Sequence, residues 1–499
     1  MSSDEPPRVE KGKVVVLPSD AAEASSLFEE LGEKIRSGGL VAFPTETVYG
    51  LGANALNKTA VLSIFTTKGR PLSDPVICHV AKRDDALSLL DISEEEKALF
   101  IVLTDAFWPG PLSLVGRASK IVPPVVTASS GFVAVRNPVS LLARRLIESA
   151  GVPVAAPSAN AFGRISPTTA SHVWKNFAEH PVTVLDGGPC PVGIESSVVR
   201  LELASPAETG VDGGKSSGPP RLLLSVLRRG AVTADMLSKA VSDAASRLPE
   251  GSAERAVLET VEVCVSAKIE YTMNPQTEKE QTSYISPGMM LSHYSPKVPT
   301  YFVTEAEGQA GGDDSSRKVG GQAGDGERAA SVPTLDPSEC LLIDLGTESG
   351  SRLSSLFGAN LKMDFASSSS SPPPSGGTGE TGGSPSASSA AVASSGDDDT
   401  ETERLEKVAA SLFATLHDAE EQAQRGGLKA ILITHLGESD LQGVGEKGLA
   451  IYDKLYRACS GRMMTLFQLP DAGGSGGEEG ENSEAFQRKK RALLSLDVP

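Results

Sequence analysis

Five short segments in the N-terminal part of the chain set hydroxyl, amide and guanidinium groups beside glycine and proline, a composition suited to holding an anion. The first, Phe43-Pro44-Thr45-Glu46-Thr47-Val48-Tyr49-Gly50-Leu51-Gly52, reads as a strand entering a hydroxyl-rich turn. Its glycines let backbone approach a ligand closely, although an ordinary polar turn has the same composition. The second, Lys68-Gly69-Arg70-Pro71 with Asp74 and His79 downstream, offers two cations beside a rigid turn. Such a pair suits a phosphate clamp, and equally a helix C-cap. His79 stands within an apolar strand, where a structural role is the competing reading.

The third segment, Val133-Ala134-Val135-Arg136-Asn137-Pro138, puts Arg136 at the end of a buried strand. Open α/β sheets bind ligands at strand ends, and an exposed loop arginine is the alternative. The fourth is Ala155-Ala156-Pro157-Ser158-Ala159-Asn160 with Gly163, Ser166, Pro167 and Thr168; the fifth is Gly193-Ile194-Glu195-Ser196-Ser197. Both set small hydroxyls on turns beside strands, where they donate to phosphate or carboxylate oxygens. Alternatively, Ser166 or Thr168 caps a helix ahead of Trp174.

Composition narrows the chemistry. The 499 residues carry a formal net charge of −18, which argues against broad adhesion to nucleic acid or anionic lipid. Any anion site is a local basic pocket on an acidic surface. Five scattered cysteines with no C-x-x-C pair suggest neither a disulfide framework nor a zinc site, and favour a reducing compartment. The N-terminal residues lack an apolar or Arg-rich leader pattern, and no run of about 18 apolar residues is present. A soluble cytoplasmic protein is therefore expected. There is no G-x-x-x-x-G-K-[ST], so nucleotide binding of the P-loop type is excluded. Gly443-x-Gly445-x-x-Gly448 matches a dinucleotide fingerprint in spacing, but polar residues His435–Gln442 separate it from strand Ala430–Thr434, and the tight strand–turn–helix geometry fails.

The elements that must position these groups alternate between helix and strand from Lys13 to about Leu201, which gives an α/β class. Asp20 with Glu23, and Ser93 with Glu96, mark helix starts. Ala204–Pro220 reads as a surface insertion, and residues 235–282 as polar and helix-prone without an assigned place. Residues 13–235 are thus taken as one domain, 236–299 as a linker, 300–470 as a second α/β domain, and 471–499 as a flexible acidic tail. Within the second domain, Glu305–Arg328 and Ser367–Thr402 lack the apolar residues to offset ordering entropy and are expected to be disordered. Removing them leaves strand Cys340–Leu345, helix Arg404–Ala423, strand Ala430–Thr434 and helix Gly448–Cys459. Three prolines, Pro287, Pro296 and Pro299, make Ser283–Pro299 an ordered strap.

In order and wording the motifs FPTETVYGLGANA, IFTTKGRPLSDPVICHV, FWPGPLSLV, VAVRNP, PVAAPSANAFGRISPT, DGGPCPVGIESSVV and LRRGAVT resemble those of the YrdC family. SPGMMLSHYSPKVP and GVGEKGLAIYDKLYRACSG resemble the linker and C-terminal domain of its long, two-domain form. The resemblance implies a twisted mixed sheet with helices around a large concave site, plus a smaller Rossmann-like C-terminal α/β domain. It implies synthesis of L-threonylcarbamoyl-AMP and pyrophosphate from L-threonine, bicarbonate and ATP, for threonylcarbamoyl modification of the adenosine beside the tRNA anticodon by a downstream transferase complex. By motif, Lys68, Arg70 and Arg136 would be catalytic. Thr47, His79, Ala156 and Ser196 would contact threonine. Arg70, Asp74, Arg136, Ser158, Ser166, Arg228 and Tyr294 would contact ATP. Mg²⁺ would be held mainly by phosphate oxygens, with no protein metal site, and direct tRNA contact would be weak. The chain departs from the family pattern at Asp74 (usually Asn), at Arg229 (usually Pro) and at Met290-Leu291-Ser292 (usually more basic). A non-catalytic RNA-binding module and a carbamoyl-transfer domain are the competing readings.

Overall fold

The computed structural model describes residues 11–203, 221–265, 293–305, 334–346, 353–357, 359–363, 365, 396–436, 441, 445–468 and 492–496. In chain order, the first domain contains β1 (Lys13–Val16), α1 (Ala21–Arg36), β2 (Leu40–Pro44), β3 (Tyr49–Asn54), α2 (Lys58–Lys68), β4 (Ile77–His79), α3 (Arg83–Ser88), α4 (Glu94–Phe107), β5 (Leu112–Arg117), β6 (Phe132–Arg136), α5 (Leu141–Ala150), β7 (Val154–Ala155), α6 (Ala170–Phe177), β8 (Val182–Asp186), β9 (Ser197–Leu203) and β10 (Leu222–Arg228). It continues through α7 (Ala234–Arg247), α8 (Ala253–Glu259) and β11 (Glu262–Val265). These strands form one mixed sheet of 11 strands in the order β1-β8-β2-β3-β7-β4-β6-β5-β9-β10-β11.

Local chemistry explains the elements. All five residues of β2 are buried, the continuous apolar run expected of a strand covered on both faces. On α1, Phe28, Leu31 and Ile35 recur at helical spacing and pack with Leu146 and Ile147 of α5. The Asp20 side chain accepts from the amides of Ala22 and Glu23, and Ser93 with Glu96 forms a full capping box. Thr169, rather than Ser166 or Thr168, caps the helix that carries Trp174.

Residues from 236 onward do not begin as a linker. α7 and α8 pack together, and β11 pairs parallel with β10, so the first sheet runs to Val265. Leu237, Val241 and Leu258 join the same core as Leu99 and Leu103 of α4. One apolar residue per helical turn is enough to dock a helix whose other faces are polar, which hid these elements in the composition.

The second domain contains β12 (Thr300–Glu305), β13 (Thr334–Leu335), β14 (Cys340–Asp344), β15 (Ala359–Lys362), α9 (Gly396–Gly426), β16 (Ala430–Thr434), α10 (Gly445–Ala458), β17 (Met463–Gln468) and β18 (Ala492–Leu496). Its sheet has 7 strands in the order β13-β18-β17-β12-β16-β14-β15. The five strands from β17 to β15 run parallel, as expected for this part of the chain. Two expectations change. α9 begins at Gly396, inside the tract read as disordered: the helix held by the buried stripe Leu405, Val408 and Leu412 propagates past the point where the apolar residues end. β18 adds a strand within the expected tail. The insertion 204–220, most of 305–328 and 367–402, and 283–292 of the strap lie outside the described residues. No helix among the described residues is long and apolar enough to cross a membrane.

The two domains share an apolar cluster in which Val48, Ile165 and Ile194 meet Tyr294, Leu412 and Phe413. Gly193 marks the closest approach. Its φ is +73°, and a Cβ there would stand 2.4 Å from the Ala409 carbonyl oxygen and 2.5 Å from the Ala410 Cα. Gly193→Ala is therefore expected to push α9 away from the first domain. Faster hydrogen exchange in α9 and a larger radius of gyration should follow; a scattering profile identical to wild type would refute this contact as the docking constraint.

Candidate functional site

Sheet register brings the five motifs to one place. β4 and β6 run parallel with His79 opposite Arg136, so both side chains leave adjacent strand ends. β2 and β3 run antiparallel and are joined by the Thr45–Val48 turn. There the Thr45 hydroxyl donates to the Val48 carbonyl at 2.6 Å and lies 2.8 Å from the Thr47 hydroxyl. β9 and β10 are antiparallel, which sets Arg228 at the end of β10 opposite Val198, near the start of β9 and hence near Ser196. Gly69 closes α2 in a left-handed conformation (φ +66°), and the next residue, Arg70, turns into the site. The Lys68–Pro71 segment is thus both a helix cap and the support of a site cation.

These groups line a recess of about 540 Å³ together with Val48, Gly50, Ala156, Ser158, Glu195 and His293. Thr47, Arg70, His79, Arg136, Ala156, Ser158, Ser196 and Arg228, all expected from the sequence, are among its lining residues. Each guanidinium is fixed from behind. Arg70 donates to the carbonyls of Asp74 (3.0 Å) and Pro75 (2.6 Å) and pairs with the Asp74 carboxylate at 2.9 Å. Arg136 donates to Glu46 Oε1 at 2.5 Å and to the Gly110 carbonyl at 3.3 Å. Arg228 donates to the Ser196 carbonyl at 3.0 Å and to its hydroxyl at 3.1 Å. The Ser196 hydroxyl also lies 2.8 Å from that of Ser113.

Four expected site residues stand behind the wall. Lys68 is buried and donates to the carbonyls of Ser158 (2.6 Å) and Asn160, so it staples the loop that carries Ser158 into the recess. Burial, then the Arg70 charge, holds its ammonium below the usual range. Asp74 is buried against Arg70 as its counter-ion. The negative charge that replaces the family's amide thus faces a guanidinium. Ser166 donates to Glu195 Oε1 at 2.7 Å. Tyr294 turns away at φ +63° and packs against Phe413 with ring centroids 5.2 Å apart, while its neighbour His293 lines the recess.

Glu46 and Glu195 were missed as site residues. Both stand inside the quoted motifs, but a glutamate in a polar loop carries no sign of burial; here they are 3% and 5% exposed. Glu46 divides its carboxylate between Arg136 and the Val139 amide, which donates to Oε2 at 3.1 Å.

Burial, reinforced by the Arg136 charge, pushes the His79 imidazole down to about 3 from its usual 6.5. Folded His79 is neutral where the unfolded chain binds a proton, so its contribution is intact above about pH 6.5 and is lost as pH falls toward 3. His172 and His417, whose rings stack at 3.8 Å across the domain interface, are lowered to about 4 and about 3 by burial and add in the same sense. Unfolding free energy measured in urea should therefore fall between about pH 6 and pH 4, each such histidine contributing up to about 1.4 kcal/mol per pH unit. His79→Gln should lower the slope by one histidine's share. An unchanged slope would show that His79 is not buried in neutral form.

The family model Sua5/YciO/YrdC, described under telomere recombination, matches residues 33–209. The model for the threonylcarbamoyl-AMP synthase C-terminal domain matches residues 254–460. The threonylcarbamoyl-AMP synthase of Pyrococcus abyssi is 48% identical over 167 residues, 34% of this chain and 48% of that protein, so this match spans about half of its length. The threonylcarbamoyl-AMP synthase of Schizosaccharomyces pombe is 34% identical over 62% of this chain and 71% of that protein. The crystal structure of P. abyssi Sua5 complexed with L-threonine superposes with a TM-score of 0.55 at 25% identity, covering 90% of this chain and 97% of that one. The chain belongs to the Sua5/YciO/YrdC family in its long, two-domain form, the family of the threonylcarbamoyl-AMP synthases.

Proposed function

We propose that the chain is a nucleotidyltransferase that converts L-threonine, bicarbonate and ATP into L-threonylcarbamoyl-AMP and pyrophosphate. The observation that carries this reading is the recess itself, where three guanidiniums face hydroxyls from Thr47, Ser158 and Ser196 within one enclosure. The threonine nitrogen and bicarbonate condense to a carbamate with loss of water; the chemistry then joins two anions, as a carbamate oxygen forms a bond to the α-phosphorus, the bond to the bridging oxygen breaks, and pyrophosphate leaves. Alignment and fixed positive charge supply most of the rate in such a reaction. Arg70, Arg228 and Ser158 would take the phosphates. Thr47, Ser196, Ala156 and the neutral His79 would take threonine, and Arg136 would face the charge that develops between them.

Four groups take revised roles. Lys68 holds the Ser158 loop, Asp74 balances Arg70, and Ser166 orients Glu195. Tyr294 anchors the second domain, which leaves His293 beside the nucleotide. Among the described residues no group of three or more His, Cys, Asp or Glu is placed to hold a metal. Mg²⁺ would then arrive on the nucleotide and keep phosphate and water oxygens as its ligands. A transferase complex would consume the product on tRNA. All five cysteines are free, in keeping with a reducing cytoplasm as the proposed compartment.

Pyrophosphate release is expected to require threonine, bicarbonate and ATP together; release that persists without threonine would defeat the reading. Arg136→Ala alone would strand the buried Glu46 carboxylate and destabilise the fold by about 3–5 kcal/mol, as happens when one partner of a buried pair is removed. The sharper variant is Glu46→Gln with Arg136→Met, which removes both charges. It should keep its melting profile and lose turnover by about 100-fold, the scale of one lost electrostatic donor. Wild-type turnover in a folded double variant would exclude Arg136 from the reaction.

A further inference from the structure

We propose that Glu195 binds the α-ammonium of the amino-acid substrate, so that the recess recognises a zwitterion through one carboxylate set among three guanidiniums. This rests on the function proposed above. Among the described residues, Glu195 is the one acidic residue that lines the recess. The nearby Glu46 is committed to Arg136 and to the Val139 amide, and Asp74 to Arg70. Glu195 differs. Its Oε1 accepts from the Ser166 hydroxyl at 2.7 Å, whereas its Oε2, also buried, accepts from no donor among the described residues. A buried carboxylate oxygen without a partner is unfavourable unless a ligand supplies one.

The chemistry of the substrates selects that ligand. Phosphates and bicarbonate bring negative charge, which an unpaired carboxylate repels. The amino acid alone brings an organic cation, carried on the nitrogen that must be carboxylated. Glu195 precedes Ser196 directly, and the Thr47 hydroxyl stands on the facing turn, so an amino acid held there meets hydroxyls and the carboxylate together. Lys454 and Arg457 of α10 lie behind the site, within electrostatic reach of Glu195. Neither of these forms a hydrogen bond to Oε2. A divalent cation travelling with the nucleotide is the other cation that Oε2 could meet, and the experiment separates the two.

Calorimetry in EDTA, without nucleotide, would compare L-threonine with (R)-3-hydroxybutanoate, which lacks only the amino group. Wild-type protein should bind threonine about tenfold or more tightly than this analogue, the scale of one charged hydrogen bond. Glu195→Gln keeps an acceptor for Ser166 and removes the charge. It should lose affinity for threonine alone and bring the two ligands level. Equal loss for both would reduce Glu195 to a structural support of Ser166, and unchanged threonine binding would assign Oε2 to a metal or to nothing; either overturns the proposal. Should E195Q fail to fold, the wild-type comparison decides, because equal affinity for the two ligands is incompatible with ammonium recognition. Wild-type protein that binds no threonine would instead remove the function on which the proposal rests.

Discussion

Three guanidiniums facing one small enclosure repel one another, and the repulsion strengthens as water is displaced. Such a site exists only if each charge is offset without being hidden from the ligand. The chain places the offsets on the far side of each arginine: Asp74 behind Arg70, Glu46 behind Arg136, and the Ser196 carbonyl and hydroxyl beside Arg228. Much of the surrounding backbone serves this arrangement. The Glu46 carbonyl accepts from the Val192 amide at 2.8 Å, tying the Thr45–Val48 turn to the segment that leads into Glu195 and Ser196. Gly230 runs so close to this wall that a Cβ would stand 2.4 Å from the Ser197 amide nitrogen. Fixed in this way, the guanidiniums need little reorganisation when a polyanion arrives.

The second domain is part of the same constraint. Lys454, fully buried on α10, donates to the Arg229 carbonyl at 2.8 Å and so holds the turn that follows Arg228. His417 on α9 lies 3.3 Å from the Ser166 carbonyl, beside the serine that orients Glu195. Glu446 accepts from the Ala234 amide at 2.5 Å at the start of α7. Contacts of this kind make domain docking and site geometry one problem. Arg229, where the family pattern has proline, is compatible with this because the interaction uses the residue's carbonyl, which either residue provides.

The sequence made the strands and caps legible because they depend on local chemistry: the apolar run of β2, the Asp20 cap and the Ser93–Glu96 box are each set by a few neighbouring residues. The eight expected residues that line the recess were legible because they stand in motifs at strand ends. Direction was not. Lys68 and Arg70 are two residues apart, yet one points to the Ser158 loop and the other into the recess, and only the left-handed turn at Gly69 decides which. The carboxylates were illegible for a related reason, since Glu46 acquires its role from Arg136, 90 residues away. α7, α8 and β11 were hidden because their few apolar residues gain meaning only against a sheet edge formed by β10.

His79 and His293 are both buried near arginines, and burial, with those charges adding to it, holds each imidazole below its usual range. Protonating either would add a further cation to an enclosure already carrying three. They therefore enter the site as neutral rings, each able to donate one hydrogen bond and accept another. The positive charge of the recess then rests on its guanidiniums. A neutral imidazole beside Arg136 can orient a carboxylate without drawing it into a stronger ion pair. That suits the proposed reaction, in which an anion must be held, turned toward phosphorus and released: fixed charge would set the affinity, and the neutral donors the direction.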